Sequence, residues 1–468
     1  MKLTKSDILN VQHVRALEFD AVRNIVATGV STDSRTTKRG DLFLALRGET
    51  FDGHNFISNA TQSGAAALVV ERRWADANQE MMARVHVPTL VVEEALLALG
   101  GLARIHRRKF NIPVLAVGGS NGKTTTKEMI RSVLAQKFSV LATDGNLNNQ
   151  IGVPQTIFRL EKKHQIAVVE IGTNHPGEIA YLCGVLEPTH GLITNIGREH
   201  LEFFGSVEGV ANAECELFDY LRGANGFAFV NADDTLLKKK ARLLKKKTTF
   251  GFKARTADVR GTVKRWTDDA HAIVAVKGRR GKALSAEVGA PGAHNAANAV
   301  AAAAIGLQFG VPPEKTRNGL ESFRAVGKRT QTVSTRGITI LNDAYNSNPD
   351  SALAGLATLR ALKNRGKKIA ALGDMLELGT QGEEQHRAIG RALTTFGVQY
   401  LLTHGPLSKF TYEAASVKFK FHYEQKNLLA EYLLELLAAG DAVLVKGSRG
   451  THMEDVVTFL TERLKKAA

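Results

Sequence analysis

The sequence predicts an α/β fold of three domains, with a central parallel sheet that carries helices on both faces. Its 468 residues correspond to three domains at roughly 150 residues each. Short apolar runs typical of buried strands alternate with segments of helical periodicity, which is the pattern of a parallel sheet. A glycine-rich loop joins one of these strands to a helix. With 44% hydrophobic residues and 43 glycines, the composition excludes a disordered chain and favours a globular enzyme.

The order of the elements divides the chain at two points. Residues 1–109 alternate apolar runs with turns and predict a smaller α/β amino-terminal domain, with a linker at the basic run 104–109 and Pro113. Residues 110–325 open with the strand PVLAV and continue with QIAVVEIG, GLITNIG and GFAFVNADD. In residues 326–468 the strand–helix rhythm restarts with GITILNDAY, KKIAALGD, YLLTHG and DAVLVKG, which predicts a Rossmann-like carboxyl-terminal domain.

Cysteine content, hydropathy and charge restrict the environment and the partners. Two cysteines, Cys183 and Cys215, exclude a disulfide framework and fit a reducing cytoplasm. The start MKLTKSDILN lacks an apolar core, so we expect no signal peptide, and no apolar run reaches the ~18 residues of a membrane span. The net charge of +16 indicates anionic partners, but its basic clusters contain no aromatic residues, which argues against a nucleic-acid-binding surface.

The strongest chemical signal is VGGSNGKTTTKE, residues 117–128, which follows a buried-type strand and opens a helix. Its glycines permit a tight turn that directs backbone N–H groups at phosphate oxygens. Lys123 would reach the β- and γ-phosphates, and the Thr124 hydroxyl would bind Mg²⁺. Val117 stands where the common pattern G-x-x-x-x-G-K-[ST] has its first glycine. The context predicts a nucleoside triphosphate site, and an ordinary turn is the alternative.

Acidic and imidazole side chains follow two other strands. Glu170 lies at the carboxyl end of the strand QIAVVEIG, at the sheet edge where ligands gather, and this position predicts that Glu170 is a Mg²⁺ ligand. The alternative is that Glu170 caps a helix. His200 follows GLITNIG and has acidic neighbours in sequence, among them Glu199 and Glu214. A lone histidine after a strand is usually structural, but this one projects toward the sheet edge where ligands gather and has acidic company.

Motifs in all three parts of the chain resemble the Mur ligase family. GGSNGKTTTKE, NLNNQIGVP, VVEIGTNHPGEI and NIGREHLEFFGS look like the central domain of these ligases. Residues 31–57, STDSRTTKRGDLFLALRGETFDGHNFI, are similar to the domain that holds the UDP end of the substrate. LNDAYNSNPDSAL, ALGDMLELG and KGSRGTHMED resemble the carboxyl-terminal domain. The combination DSR, DGH, YNSNPDS and GDMLELG is most similar to members that add D-alanyl-D-alanine to a tripeptide.

The resemblance implies an ATP-dependent, amide-forming ligase. ATP would phosphorylate the terminal carboxylate of UDP-N-acetylmuramoyl-tripeptide, and the amine of D-alanyl-D-alanine would attack the acyl phosphate. The implied cofactors are ATP and two Mg²⁺ ions, and the partners are these small molecules, with no nucleic acid and no membrane span. The UDP-muramoyl-pentapeptide product would serve peptidoglycan synthesis, and through it cell wall biogenesis, cell shape and cell division. We expect a cytoplasmic monomer.

The resemblance also implies roles for individual residues at matching positions. Lys123, His200 and Arg329 would be catalytic, with Arg329 moving from the linker towards the γ-phosphate. The Mg²⁺ ligands would be Thr124, Glu170, His200 and Glu214. The implied ATP-binding residues are Gly118, Gly119, Ser120, Asn121, Gly122, Lys123, Thr124, Thr125, Asn295, Arg329, Asp343 and Tyr345, and the implied substrate-binding residues are Ser34, Arg35, Arg47, Asn149, Asn346 and Asn348, together with Pro349.

Glu214 departs from the family pattern. The resemblance implies a carbamylated lysine fourteen residues after the motif histidine, and Glu214 stands there. We hypothesise that Glu214 supplies the metal-binding carboxylate directly, so that no CO₂ is needed. In the linker, Lys328 precedes Arg329, which leaves open which cation meets the phosphate. The segment 322–328, with Gly327, predicts a hinge for closure of the third domain.

Other interpretations remain at several positions. Asp33, Ser34 and Arg35 are also typical of a turn with a salt bridge, and NSNP is a plain turn signal. Asp374 is also a candidate helix N-cap, and Lys446 is either structural or a contact for the substrate carboxylate. The functional alternatives are a ligase that adds the third residue of the same peptide, a folate polyglutamate synthase, and a P-loop ATPase that acts on nucleic acid.

Overall fold

The protein is described by a computed structural model that covers residues 1–11, 14–17, 25–279, 283–325 and 327–466. The chain divides into two compact units. The first consists of residues 1–116, 139–171 and 178–189, and the second of residues 117–138, 172–177 and 190–468. Segments 139–171 and 178–189, which the sequence assigned to the central domain, therefore pack with the amino-terminal residues.

The first unit contains a five-stranded sheet in the order β2-β7-β6-β5-β4. Strands β4 to β7 are parallel to one another, and β2 is an antiparallel edge strand. Residues 41–44 and 67–70 are buried, and their mostly apolar runs are typical of parallel strands that are covered on both faces. The elements are β1 Leu3–Thr4, α1 Lys5–Leu9, β2 Val14–Leu17, β3 Val26–Ala27, β4 Gly29–Ser31, β5 Asp41–Leu44, α2 Ile57–Gln62, β6 Ala67–Glu71, α3 Arg72–Ala77, α4 Gln79–Ala83 and β7 Thr89–Val92.

The linker predicted at residues 104–109 is wrong, because most of this run ends helix α5 Ala95–Arg107. Basic side chains at the last turn of a helix are stabilised by the helix dipole. Arg107 is buried, and its guanidinium donates hydrogen bonds to the carbonyl oxygens of Leu186 and Phe110 at 3.1 and 2.6 Å. The unit also contains the start of β8 Val114–Gly118, β9 Val140–Ala142, α7 Gly152–Phe158, β10 Ile166–Glu170 and α8 Glu178–Leu186.

The second unit begins at the end of β8 and holds the remaining strands of the central region in the order β11-β12-β13-β14-β15-β16. The first four are parallel, as expected, but β14, β15 and β16 pair antiparallel, which the sequence analysis did not predict. Buried and more exposed residues alternate along these last strands, as expected when only one face of a sheet is covered. The elements are α6 Lys123–Leu134, β11 His190–Ile193, α9 Leu201–Phe204, α10 Val207–Glu214, α11 Glu216–Gly223, β12 Phe227–Asn231, α12 Thr235–Lys240, β13 Lys247–Gly251, β14 Val259–Trp266, β15 His271–Gly278, β16 Leu284–Pro291, α13 Ala293–Gln308 and α14 Pro313–Ser322.

The same unit contains a six-stranded sheet in the order β17-β18-β22-β19-β20-β21, which is parallel except for the edge strand β17. Alternate residues of β22 enter two different apolar clusters, Leu444 in one and Val443 and Val445 in the other. Both faces are therefore covered, as a Rossmann-like domain requires. The elements are β17 Gln331–Thr335, β18 Ile338–Asp343, α15 Pro349–Ala361, β19 Lys368–Gly373, α16 Gly382–Ala392, β20 Tyr400–His404, α17 Ser408–Ala414, β21 Phe419–Tyr423, α18 Lys426–Leu436, β22 Ala442–Lys446 and α19 Glu454–Lys466.

Candidate functional site

The phosphate loop lies between β8 and α6, as the sequence predicts. Gly119 and Gly122 have φ angles of 114° and 79°, which side-chain-bearing residues rarely adopt. A Cβ on Gly119 would collide with Thr194, and one on Gly122 would meet the Asn298 amide at 3.0 Å. Gly122 precedes the first residue of α6, so the loop meets the helix N-terminus, where unpaired N–H groups favour an anion.

The turn after β11, residues 194–197, holds the loop by a set of short polar contacts. The main-chain N–H of Asn121 donates to Asn195 Oδ1 at 3.1 Å, and Asn195 Nδ2 donates back to the Asn121 carbonyl at 2.8 Å. The N–H of Gly197 donates to Ser120 Oγ at 2.8 Å. Asn195 opens the motif NIGREHLEFFGS but was assigned no role from the sequence, because a contact 74 residues away leaves no local pattern.

Lys123 begins α6 and turns its ammonium group back over the loop. Its Nζ donates to the Gly119 carbonyl at 2.5 Å and lies 3.4 Å from Glu199 Oε2. The Lys123 side chain is 15% exposed. The ammonium group is therefore held next to the loop by a carbonyl and a carboxylate, at the place where a bound phosphate would need a positive charge.

Glu214, at the end of α10, is buried behind the loop. Its Oε2 accepts the Gly119 N–H at 2.7 Å, while in the described part of the chain Oε1 is buried and has no hydrogen-bond partner. Burial raises the pKa of Glu214 to about 7, against the positive charge of Lys123, which lowers the pKa. An ionised carboxylate here therefore favours a further cation.

His200 lies next to Lys123 and Glu214 and has a strained backbone, with φ 47°. Its Nδ1 lies 2.7 Å from Glu377 Oε2, and its Nε2 lies 4.0 Å from Glu199 Oε2. Burial lowers the pKa of His200, but the neighbouring carboxylates of Glu377 and Glu199 outweigh burial, so the net direction is upward. Glu377 also has a positive φ, 63°, so two strained residues face each other.

The residues in the second unit fit a divalent ion that shares its ligands with a nucleotide. Across the described ranges no group of three or more His, Cys, Asp or Glu side chains could hold a metal by itself. Mg²⁺ needs no such cage, because it keeps several waters and binds one or two carboxylates together with substrate phosphates. The buried Oε1 of Glu214 is an acceptor of this kind.

Glu170 lies in the first unit, where β10 ends with it. It is buried, and its Oε1 accepts a hydrogen bond from Asn148 Nδ2 at 2.9 Å. The following helix α8 begins only at Glu178, so Glu170 is not its cap. The role of Glu170 as a Mg²⁺ ligand stays a prediction.

A second group of predicted residues lies together at the linker and the third domain. The Arg329 guanidinium stacks on the Tyr345 ring at 3.8 Å, and the Thr330 N–H donates to Asp343 Oδ1 at 2.8 Å. Lys446 is buried and pairs with Asp343 at 2.6 Å. Lys328 instead pairs with Glu454 at 3.1 Å, so the two neighbouring cations of the linker, Lys328 and Arg329, contact different residues.

The predicted hinge has positive φ angles at Gly327 (68°) and Lys328 (60°), while Val326 lies outside the described residues.

Asp374 is not the N-cap of a following helix, because Leu378 and Gln381 occupy those positions. Its carboxylate accepts the N–H of Ser408, the first residue of α17, at 2.6 Å.

Three predicted asparagines serve the fold around the site. Asn295 is buried, donates to the Pro291 carbonyl at 2.8 Å and accepts from Asn298 at 3.1 Å. Asn348 caps α15 through the Ser351 N–H and also donates to Asn121 Oδ1 of the phosphate loop at 3.0 Å. The Asn346 carbonyl accepts from Lys446 at 2.9 Å. Their contacts to adenine or dipeptide stay predictions.

The first unit contains a cavity of about 800 Å³ between the loop after β4 and the end of α7. Lys38, Arg159 and Lys163 line it; Lys38 lies within the motif of residues 31–57, whereas Arg159 and Lys163 lie in none of the family motifs. Within the described residues, the lining does not include Ser34, Arg35 or Arg47. The full lining is Met1, Thr28, Gly29, Val30, Ser31, Thr32, Asp33, Thr36, Lys38, Asp41, Leu141, Gln155, Phe158, Arg159, Glu161, Lys163 and His164.

The predicted substrate residues of the first unit make local contacts. Arg35 pairs with Asp33 at 2.7 Å, and this guanidinium lowers the pKa of Asp33 to about 2. Arg47 pairs with Asp52 at 3.0 Å. The Asn149 side chain accepts the Gly152 N–H at 2.9 Å at the start of α7. The turn with a salt bridge is therefore present, and substrate binding by these residues stays a prediction.

Comparisons with known proteins agree with this architecture. Three family models match the chain: Mur ligase family, catalytic domain, at residues 26–107; Mur ligase middle domain at 117–306; and Mur ligase, glutamate ligase domain, at 328–449. A UDP-N-acetylmuramoyl-tripeptide–D-alanyl-D-alanine ligase of Bacillus subtilis is 35% identical over 93% of this chain and 94% of its own length.

Solved structures of similar proteins extend over nearly the whole chain. A crystal structure of MurF from Acinetobacter baumannii has a TM-score of 0.89 and 31% identity over 99% of both chains. MurF ligase from Thermotoga maritima, in complex with ADP, has a TM-score of 0.82 and 28% identity over 94% of this chain and 98% of that chain.

Fold and phosphate loop together define a three-domain α/β protein with a glycine-rich phosphate loop between β8 and α6, as predicted. The chain belongs to the Mur ligase family. The predicted family resemblance is therefore confirmed. In the described part of the chain, no helix has the length and hydropathy to cross a membrane.

Proposed function

We propose that this chain is an ATP-dependent amide ligase that joins D-alanyl-D-alanine to UDP-N-acetylmuramoyl-tripeptide. The observation that carries the proposal is the phosphate loop with Lys123, in a chain that is similar along its whole length to ligases of this name. The product is the UDP-muramoyl-pentapeptide precursor of peptidoglycan, which connects the reaction to cell wall biogenesis, cell shape and cell division.

The reaction begins with two anions that repel each other, the tripeptide carboxylate and the γ-phosphate. The carboxylate oxygen attacks the γ-phosphorus, the bond to the bridging oxygen of ADP breaks, and an acyl phosphate forms. Lys123 at the loop and Arg329 at the linker neutralise the charge that develops on the transferred group. The amine of the dipeptide then attacks the acyl carbon, and phosphate leaves as the amide forms.

Magnesium supplies Lewis-acid charge at the phosphates when it is bound. We propose that Thr124, Glu170, His200 and Glu214 would hold it, with substrate phosphates completing the ligand set. Glu214 takes the place of the carbamylated lysine, so this chain works without CO₂. Its buried carboxylate and the Oε1 without a partner within the described residues support this assignment.

The anionic UDP end of the substrate fits the cavity of the first unit, where Lys38, Arg159 and Lys163 supply positive charge. Ser34 and Arg35 lie on the adjoining turn, and Arg47 lies after β5. Asp343 and Tyr345 are proposed to bind the nucleotide ribose or to position the third domain, and Asn346 and Asn348 to shape the dipeptide pocket. Cys183 and Cys215 are both thiols, which fits a reducing compartment, and we propose a cytoplasmic monomer.

One coupled assay of phosphate release tests the proposal. With ATP and Mg²⁺ present, release is expected only when UDP-N-acetylmuramoyl-tripeptide and D-alanyl-D-alanine are both added. Release with a single amino acid and a UDP-muramoyl dipeptide would instead indicate the ligase for the third residue. Release with folate and glutamate would indicate a folate polyglutamate synthase, and stimulation by DNA or RNA a nucleic-acid ATPase.

A further inference from the structure

We propose that Asp350, in the first turn of α15, is a positioning residue for the phosphate loop. This inference rests on the proposed function, because that function assigns the phosphate loop a role in catalysis. Asp350 belongs to the third domain, yet its Oδ2 accepts the main-chain N–H of Arg198 at 2.7 Å. Its Oδ1 accepts the Arg198 guanidinium through Nε at 3.1 Å and Nη2 at 2.5 Å. One carboxylate therefore binds both the backbone and the side chain of the same residue.

The backbone contact requires a close approach that a glycine permits. A Cβ on Gly197 would lie 2.8 Å from Asp350 Oδ2 and 3.2 Å from the Asn121 amide nitrogen. Oδ2 therefore occupies space that a side chain at 197 would fill. An ion pair made only for surface attraction would not need its acceptor pressed against the main chain of the turn.

The turn that Asp350 holds is the turn that shapes the phosphate loop. Gly197 donates to Ser120 Oγ at 2.8 Å, and Asn195 exchanges two hydrogen bonds with Asn121. Two residues before Asp350, Asn348 donates directly to Asn121 Oδ1 at 3.0 Å. The N-terminus of α15 thus contacts the loop directly and also through the 195–198 turn.

The residues that follow Arg198 connect the same turn to the charged part of the site. Glu199 lies 3.4 Å from the Lys123 ammonium, and His200 contacts Glu377 of the third domain. A shift of the 195–198 turn would therefore move the loop glycines and the partner of Lys123 together. Because phosphoryl transfer depends on placement within a fraction of an ångström, such a shift would lower turnover.

Two substitutions separate positioning from simple attraction between the domains. Asp350→Ala removes the contact to the backbone and the contact to the guanidinium, whereas Arg198→Ala keeps the backbone contact and removes the guanidinium together with its contacts to Asp350 and to Gln385 Oε1 at 3.0 Å. The capping box between Asn348 and Ser351 is intact in both, so α15 keeps its cap. Asp219→Ala is the matched control, because Asp219 pairs with Arg222 at 2.9 Å inside α11 and in solvent.

The measurements are kcat and KM for each substrate, and calorimetric affinity for a non-hydrolysable ATP analogue with Mg²⁺. We expect Asp350→Ala to lower kcat and weaken analogue binding by about tenfold or more, as for a lost charged hydrogen bond. Arg198→Ala should lose about threefold or less, as for a partly exposed ion pair, and Asp219→Ala should match the wild type. The KM for the UDP substrate should stay within about twofold in all three, because the proposed UDP residues belong to the first unit.

Equal losses in Asp350→Ala and Arg198→Ala would overturn the proposal, since the ion pair alone would then explain them. A wild-type-like Asp350→Ala would overturn it as well. If circular dichroism shows Asp350→Ala to be unfolded, Asp350→Asn carries the same comparison, and a loss no greater than that of Arg198→Ala overturns the proposal. Analogue binding separates this test from the proposed function. A wild type that binds the analogue but joins no peptide contradicts the proposed function, while the analogue affinities of the variants still test the positioning role of Asp350.

Discussion

Two buried lysine–carboxylate sites in the second unit differ in how well their charges are matched. At the end of β22, Lys446 pairs with Asp343 at 2.6 Å and also donates to the Asn346 carbonyl. At the phosphate loop, Lys123 lies 3.4 Å from Glu199, and within the described chain the Glu214 Oε1 is buried without a hydrogen-bond partner. Removing one partner of a matched buried pair destabilises a fold because a charge is left uncompensated, whereas an unmatched buried acceptor is available to a ligand.

This comparison predicts the largest effect on activity at Lys123. Lys123→Ala should lower kcat by roughly 100- to 1,000-fold, because it removes a positive charge that is held where phosphate charge develops. Its thermal unfolding should change little. Initial rates of phosphate release and a melting curve measure both, and a variant that keeps more than half of the wild-type rate would contradict the assigned role.

The largest effect on stability is expected at the matched pair. Lys446→Ala leaves the largely buried Asp343 carboxylate, 13% exposed, without its cationic partner, which should lower the free energy of unfolding by up to about 3–5 kcal/mol. Urea unfolding followed by circular dichroism measures this change. Lys363→Ala is the control, since Lys363 and Asp268 pair at 2.8 Å with side chains 71% and 77% exposed, and it should cause no measurable change. Equal losses of stability in Lys446→Ala and Lys363→Ala would contradict the claim that the pair at Lys446 stabilises the fold more than an exposed ion pair does.

A pH effect of intermediate size is expected at Glu214. Burial raises the pKa of Glu214 from 4.5 to about 7, so the native state binds more protons than the unfolded state between these values. The stability of the protein without metal and nucleotide should therefore fall as pH rises from 4.5 to 7, by up to about 3 kcal/mol. Glu214→Gln, which stays neutral, should be more stable than the wild type at pH 8, with the advantage gone near pH 4. A less stable Glu214→Gln at pH 8 would show that the carboxylate is matched in the native state.

The smallest effect is expected in the first unit, at Arg35. Its ion pair with Asp33 is exposed and local, so Arg35→Ala should leave the melting temperature and kcat unchanged. If Arg35 binds the UDP end, KM for the UDP substrate should rise by about tenfold, as for a charged hydrogen bond. Steady-state kinetics with that substrate varied decides this point. An unchanged KM would leave the Asp33–Arg35 contact as a turn-stabilising salt bridge.

Sequence patterns predicted those features that are local in the chain. The strand, the glycine loop and α6 are contiguous, and each residue type there has a direct physical reason. The linker predicted at the basic run 104–109 was wrong, because basic residues are typical both of the last turn of a helix and of a linker. The contacts of Asn121 with Asn348 and of Arg198 with Asp350 span 227 and 152 residues, so no local pattern predicts them. The cavity lining, with Lys38 and Arg159, depends in the same way on packing between distant segments.

Mass spectrometry of the reaction product tests the central claim most directly. Purified protein is incubated with ATP, Mg²⁺, UDP-N-acetylmuramoyl-tripeptide and D-alanyl-D-alanine, and the nucleotide-linked products are weighed. The account predicts a single new species heavier by one D-alanyl-D-alanine less one water, which forms at least about 100-fold more slowly when Lys123 is replaced by alanine. An unchanged UDP-tripeptide mass while ATP is consumed would contradict it.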